Sequence, residues 1–237
     1  MTLDDAALVR REYETEERQE QRSLYGWAVY EGPDPREHAL LALAAGRPRR
    51  LLDAGCGTGA FAARAAGVLG VEVVGVDQSE RMVELTRERG VEALVADVRR
   101  LPFPDGLFDA VSALWLLYHV DELDRALAEI ARVLAPGGRF VSVHNSERHL
   151  AELWGRDTAS TFTAENGADA LRRHFWRVEA HEVRGAATFV TRDNLLGYLR
   201  AFEILHGRDE TGRAEAVRLP LRVTCQNVVF VASGGRG

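Results

Sequence analysis

The chain has 237 residues, 46% of them hydrophobic, and a formal net charge of −6. That suits one large domain, or a domain with a modest appendage, around a full apolar core, and it disfavours a nucleic-acid partner, which needs a basic face. No apolar run approaches the ~20 residues of a membrane span, the N-terminal stretch has no apolar leader core, and the two cysteines (Cys56 and Cys225) have neither disulfide nor metal spacing, so a cytoplasmic protein is expected.

Residues 3–24 mix both signs of charge with scattered Leu3, Val9, Tyr13 and Leu24, the pattern of a solvated helix or of a lid. SLYGWAVYEGPDP at 23–35 sets Tyr25, Trp27 and Tyr30 in a Gly/Pro-rich loop, and such aromatics need either a core or a ligand to pack on. Pro35 opens a helix that Gly46 closes. From there strand and helix alternate. Strands are expected at Arg50–Ala54, Val71–Val76, Val91–Ala96, Phe108–Leu114 and, after the turn Pro136-Gly137-Gly138, at RFVSVHN. Helices of about ten residues follow Gly59, the cap Ser79 and Asp121. This alternation predicts a doubly wound, mostly parallel α/β sheet.

After Asn145 the alternation loosens. Two short helices are expected in 146–176, a strand at Trp176–Arg184, a helix over 191–205 capped by Thr191, a charged linker at 207–216, a final strand Leu221–Ala232 and an unstructured tail SGGRG. The expected divisions are an N-terminal helical segment or lid (1–47), a cofactor-binding core (48–145), and the remainder of the same domain (146–237) with acceptor-binding insertions and the last strand.

The chemistry concentrates at LLDAGCGTG, 51–59, where a strand turns into a helix through Gly55, Gly57 and Gly59. Ligands of open parallel sheets bind at the carboxyl ends of strands. Here the first three strand ends carry Asp53, Asp77 and Asp97. Helix capping accounts for any one of these acids, but less well for three on one sheet. Gly55-x-Gly57-x-x-Ala60 with Asp77 about twenty residues on also fits a dinucleotide site. Asp53 opposes that reading, because a carboxylate beneath the turn repels a pyrophosphate by ~1–4 kcal/mol at ~4–6 Å. The same acid suits S-adenosylmethionine, which is cationic at its methionine end and carries no phosphate. Cys56, inside the turn, reads as a small packing residue rather than a nucleophile.

The chain resembles the class I S-adenosylmethionine-dependent methyltransferases of the broad small-molecule type. The resemblance lies in LLDAGCGTG at 51–59, VVGVDQS at 73–79, ADVRRLPFPDGLFDAV at 96–111, YHV at 118–120 and ARVLAPGGRFV at 131–141. It implies a seven-stranded Rossmann-like sheet whose last strand runs antiparallel. It implies that Gly55, Cys56, Gly57 and Gly59 form the loop along the methionine portion, with Asp53 beneath. Asp77 would take the ribose hydroxyls, Gln78 would border the adenine, and Asp97 and Val98 would meet its edge. Ala113 and Leu114 would offer carbonyls near the ammonium. Trp115 departs from the family pattern, where a smaller residue is usual.

Such an enzyme transfers a methyl group in line to an oxygen or nitrogen nucleophile, and the protein chiefly positions the reactants. His144 and His119 are the candidate bases, each with a capping or packing reading beside it. Tyr25, Trp27, Tyr30 and Trp154, with residues 185–205, are the candidate acceptor contacts, and they suggest an apolar or planar small molecule. No metal-ligand spacing is visible among the histidines. The expected partners are the small-molecule acceptor alone, without nucleic acid or membrane. The alternatives are an RNA or protein methyltransferase and a non-catalytic S-adenosylmethionine-binding protein.

Overall fold

The structure is a computed structural model that describes residues 29–155, 162–201 and 210–235. The expected helix at 3–24, Tyr25 and Trp27 lie outside the described residues. Eight strands form one sheet: β1 (Tyr30–Glu31), β2 (Arg50–Ala54), β3 (Glu72–Asp77), β4 (Glu92–Val95), β5 (Phe108–Leu114), β6 (Leu134–Asn145), β7 (Phe175–Phe189) and β8 (Leu221–Gly235). Their spatial order is β1-β7-β8-β6-β5-β2-β3-β4. β4, β3, β2, β5 and β6 pair in parallel, whereas β8 runs antiparallel between β6 and β7.

The strands of the centre are buried on both faces, as in parallel sheets covered by helices. Successive residues supply alternate cores, because side chains in a strand point to opposite faces. Leu52, Val74, Val111, Phe140 and Phe230 join one cluster with Leu127 and Ile130 of helix α4 (Leu123–Val133). Their neighbours Leu51, Val73, Ala110, Val141 and Val229 join the other with Leu40 and Leu43 of α1 (Pro35–Ala45) and Ala62 and Ala65 of α2 (Ala60–Leu69). Side-chain caps begin these helices where the sequence offers them. Asp34 accepts from the Arg36 amide at 2.8 Å before α1, and Ser79 accepts from the Met82 amide at 3.4 Å before α3 (Glu80–Glu88).

A third cluster lies towards the β1 end of the sheet. It joins α5 (Ala151–Trp154) and α7 (Arg192–Arg200) to Phe189, Val223 and Cys225 of the last two strands. α6 (Gly167–Arg172) belongs to the first cluster through Ala170 and Leu171.

Four expectations need correction. The sheet has eight strands rather than seven, because Tyr30 and Glu31 pair with Ala187 and Ala186 at its edge. The strand expected at Trp176–Arg184 runs over Phe175–Phe189, held by a β8 register that extends from Phe175↔Gly235 to Phe189↔Leu221. Within the expected linker, Glu210–Ala216 is helical (α8) and its Ala214 is buried. Ser233–Gly235, read as tail, continues β8, since main-chain pairing with Arg177 and Phe175 needs no apolar side chain.

Candidate active site

The carboxyl ends of β2, β3 and β5 open into one cavity of about 450 Å³. The β2–α2 loop forms its first wall. The Gly55 and Cys56 amides both donate to the Val76 carbonyl, at 2.8 and 3.0 Å, which folds the loop back onto β3. The Gly57 amide donates to Asp77 Oδ2 at 3.0 Å, and the Ser79 amide to Oδ1 at 3.0 Å. Thr86 of α3 donates its hydroxyl to the Gly57 carbonyl at 3.0 Å and closes the loop from below.

Two glycines are required for different reasons. Gly59 has φ +76°, and a Cβ there would lie 2.7 Å from Thr86 Cα. Gly57 has φ +53°, but a Cβ there would meet nothing within 4 Å. Its bare face is therefore turned to open space, where a ligand can approach the backbone.

Cys56 lines the cavity, yet its thiol is packed. Sγ sits 3.4 Å from Thr86 Oγ1, and Gly75 leaves the room it occupies, since a Cβ at Gly75 would lie 2.9 Å from that sulfur. Burial, reinforced by Asp53, pushes the thiol far above its ordinary range, so it is no thiolate nucleophile.

Asp53 is 2% exposed and accepts from Ser112 Oγ at 2.7 Å. Burial raises its pKa to about 7 despite that hydrogen bond, and the Asp77 charge adds to the rise. Burial also raises Asp77, opposed by the amides of Ser79, Gly57 and Gln78. The base of the cavity is thus acidic. The two arginines on its wall are committed elsewhere: Arg36 pairs with Asp34 at 2.8 Å, and Arg99 with Asp97 at 2.6 Å.

Asp97 departs from its expected place. The Arg99 guanidinium grips both of its oxygens, holds its carboxyl below the usual range, and itself bonds Asp121. The wall beside it consists of Ala96, Val98 and Arg99, with Gln78 and Ser79 next to Asp77. Arg99 was overlooked in the sequence, although an arginine two residues after a strand-end acid is a signal that the acid is paired. At the end of β5, Leu114 lines the cavity while Ala113 is fully buried behind it.

Trp115 has φ +52°, uncommon for a bulky residue. Its amide donates to the Val143 carbonyl at 2.8 Å and its indole Nε1 to Asn145 Oδ1 at 3.0 Å, which turns the ring into the cavity wall. Tyr118 and His119 follow on a 3₁₀ turn at Leu117–His119, their rings 4.2 Å apart, and both line the cavity.

The opposite wall comes from the late chain: His149, Leu150, Ala187, Phe189, Tyr198, Cys225 and Asn227. Tyr30 joins it from β1. Its ring lies over Gly185, where a Cβ would come within 2.5 Å of its hydroxyl oxygen, and that hydroxyl donates to the Pro33 carbonyl at 2.7 Å. His149 is on this wall.

Two candidates are not on the wall. His144 is wholly buried, its ring 4.3 Å from Phe162 and 6.1 Å from Phe230, and neither ring nitrogen has a hydrogen-bond partner. Burial lowers its pKa to about 3. A substrate at the cavity cannot reach it, so it is corrected from a candidate base to a core residue. Trp154 is corrected likewise: it is 8% exposed and packs against Tyr198, which takes the cavity position in its stead. Among the described residues no group of three His, Cys, Asp or Glu side chains could hold a metal ion.

Residues 52–142 match the family described as the methyltransferase domain. The chain is 43% identical over 109 residues to 27-O-demethylrifamycin SV methyltransferase of Amycolatopsis mediterranei, a match covering 43% of this chain and 39% of that protein. It is 32% identical over 167 residues to the probable tRNA methyltransferase 9B of Homo sapiens, covering 61% of this chain and 36% of the other. The chain therefore spans well under half the length of these curated relatives. The YcgJ protein of Bacillus subtilis superposes with a TM-score of 0.59 at 19% identity, over 85% of this chain and 100% of that one, and so shares the fold. Sheet order, glycine loop and domain match agree: residues 52–142 form a methyltransferase domain of the class I S-adenosylmethionine-dependent type. The cofactor of such a domain is S-adenosylmethionine, which suits a loop bare at Gly57 and an acidic floor whose two arginines, among the described residues, are both paired.

Proposed function

We propose that the protein methylates an oxygen or nitrogen nucleophile of a small, largely apolar molecule. The observation that carries this reading is the shape of the cavity. One wall is the glycine loop with Asp53 and Asp77, and the facing wall is mostly aromatic and aliphatic, from Tyr30, Phe189, Leu150 and Tyr198. A cavity of about 450 Å³ lies within the ~300–1,000 Å³ usual for small ligands.

The bound cofactor supplies an electrophilic methyl group on a sulfonium. The residues of the chain bind and orient. Gly57 would let the backbone approach the methionine portion, and the buried Asp53 carboxyl beneath it would be drawn to its charged form by a cationic ligand. Asp77 accepts one backbone amide on each oxygen and would use the remaining lone pairs for the ribose hydroxyls, while Gln78 and Val98 would border the adenine. Leu114 and Trp115 stand at the junction of the two walls, where an acceptor must be kept in line with the methyl group. His119 and Tyr118 shape that junction. Packing the acceptor against the apolar wall excludes water from the transfer.

Titration calorimetry with S-adenosylhomocysteine tests the cofactor half. The wild type binds, and Asp77→Ala loses at least about tenfold in affinity, roughly 1.4 kcal/mol, the scale of a lost hydrogen bond to a charged group. Undiminished affinity in a variant that still melts cooperatively would remove Asp77 from the ribose site. Transfer of labelled methyl to the small-molecule fraction of a cell extract, absent in Asp77→Ala, tests the activity.

An RNA acceptor is the second reading, favoured by the similarity to the human protein named a probable tRNA methyltransferase. The net charge of −6 weighs against it.

A further inference from the structure

The wall opposite the glycine loop is apolar except at a few points, and two of those points are unsatisfied. His149 Nδ1 and Asn227 Oδ1 are buried side-chain atoms without a hydrogen-bond partner. Both residues line the cavity, and Asn227 is 4% exposed. They come from different elements that the fold brings together. His149 lies in the turn after β6, whose Leu150 amide donates to the Thr224 carbonyl at 2.7 Å, and Asn227 lies on β8 two residues beyond Cys225, on the same strand face. A buried polar atom left unpaired costs about 1–3 kcal/mol. Two of them on residues that line one cavity mark where a bound molecule can supply the missing hydrogens.

The histidine ring is already oriented. The Gln226 backbone hydrogen-bonds it. A carbonyl can only accept, so the ring proton sits on the nitrogen facing Gln226. That leaves Nδ1, which has no partner within the protein, as the acceptor of the ring. Burial lowers the His149 pKa to about 4, which keeps the ring neutral and Nδ1 an acceptor at neutral pH.

We propose that His149 Nδ1, seconded by the Asn227 side chain, is the polar anchor of the acceptor subsite, and that it selects apolar molecules bearing a hydroxyl or N–H donor. This rests on the methyltransferase reading and deepens it: the group that binds to His149 is a donor, and the rest of the molecule lies against Phe189, Tyr198 and Leu150. An acceptor whose donor is already methylated would lose its anchor, so the subsite distinguishes substrate from product.

The test uses 1-naphthol and its donor-free counterpart 1-methoxynaphthalene as probes, titrated calorimetrically into the full chain with and without S-adenosylhomocysteine. The wild type is expected to prefer 1-naphthol by roughly tenfold or more, the factor that one hydrogen bond of about 1.4 kcal/mol supplies. His149→Phe should bring the ratio close to one while leaving S-adenosylhomocysteine affinity unchanged. His149→Gln, which restores an acceptor, should retain part of the preference. If His149→Phe does not fold, the ¹⁵N shift of His149 Nδ1 in the wild type decides, since it must move on addition of 1-naphthol and not of the ether. Equal affinities in the wild type, a preference that survives in His149→Phe, a static Nδ1 resonance, or no binding of either probe would each overturn the proposal. Failure to bind S-adenosylhomocysteine would instead overturn the cofactor assignment, because the naphthol preference is also read without it.

Discussion

At Asp53 the structure places an acid where water cannot hydrate it. Its folded pKa of about 7 lies above the ordinary carboxylate value of 3.8, so the folded chain holds the proton more tightly than the unfolded one. The stability this gives is full below about pH 4 and is lost as pH rises to about 7, by at most about 1.4 kcal/mol per pH unit. In the cofactor-free protein, Asp53→Asn should therefore gain on the wild type between pH 4 and 7 and hold a constant difference above, as urea midpoints would record. His144 works in the opposite sense. Its folded pKa of about 3 lies below the ordinary 6.5, so stability is full above pH 6.5 and falls as pH drops towards 3. His144→Leu removes two unpartnered ring nitrogens and should be as stable as the wild type at pH 7, or more stable by about 1 kcal/mol. It should also lose less on going to pH 5. A variant more acid-sensitive than the wild type would refute the account of the buried imidazole.

The glycine loop, as an element, divides its labour between two positions. Gly59→Ala must drive a methyl into the Thr86 backbone, and a loss of at least about 2 kcal/mol in folding stability is expected. Gly57→Ala meets no atom and should cost only about 1 kcal/mol of left-handed strain, yet its methyl occupies the open face of the loop. Thermal melts should rank Gly59→Ala as the less stable, whereas calorimetry should find Gly57→Ala impaired in S-adenosylhomocysteine binding while still well folded. The reverse ranking would mean that the loop faces the ligand differently. This loop was readable in the sequence because its information is local: a strand, an acid, and glycines at fixed intervals. The pairing of Asp97 with Arg99 was written only two residues apart, but the choice between an adenine partner and an arginine partner is a matter of side-chain direction. Tyr30 and Trp154 had the same ambiguity. Tyr30 reaches the cavity because Gly185, far along the chain, has no side chain in its way, and Trp154 does not because Tyr198 stands in front of it. His149 gave no sign, since only the fold brings it to the same cavity as Asn227.

Over the whole molecule, the parallel half of the sheet was legible from alternation, and its order reverses where the chain leaves β4 at one edge and returns to pair β5 with β2. The antiparallel end was harder. β7 and β8 are each fifteen residues long, and only their mutual pairing defines how far they run. The charge of the chain makes a prediction at this scale. A net charge of −6 disfavours the counterion-releasing binding of an RNA. Filter binding with bulk tRNA at about 0.1 M salt should find no retention, and no rise in affinity as salt is lowered. Salt-dependent retention would favour the RNA reading.

The two walls of the cavity are drawn from separate parts of the chain. The glycine-loop wall runs from Asp53 to Asp121, and the facing wall from Tyr30 and then from Asn145 to Asn227. Asn145 apart, which accepts from the Trp115 indole, substitutions that recut the second wall leave the hydrogen bonds of the first intact. On the proposed roles of the two walls, natural variation and laboratory selection could therefore exchange one acceptor for another without rebuilding the nucleoside pocket, and a library confined to positions 149, 187, 189, 198 and 225 would sample new acceptors on an unchanged cofactor platform.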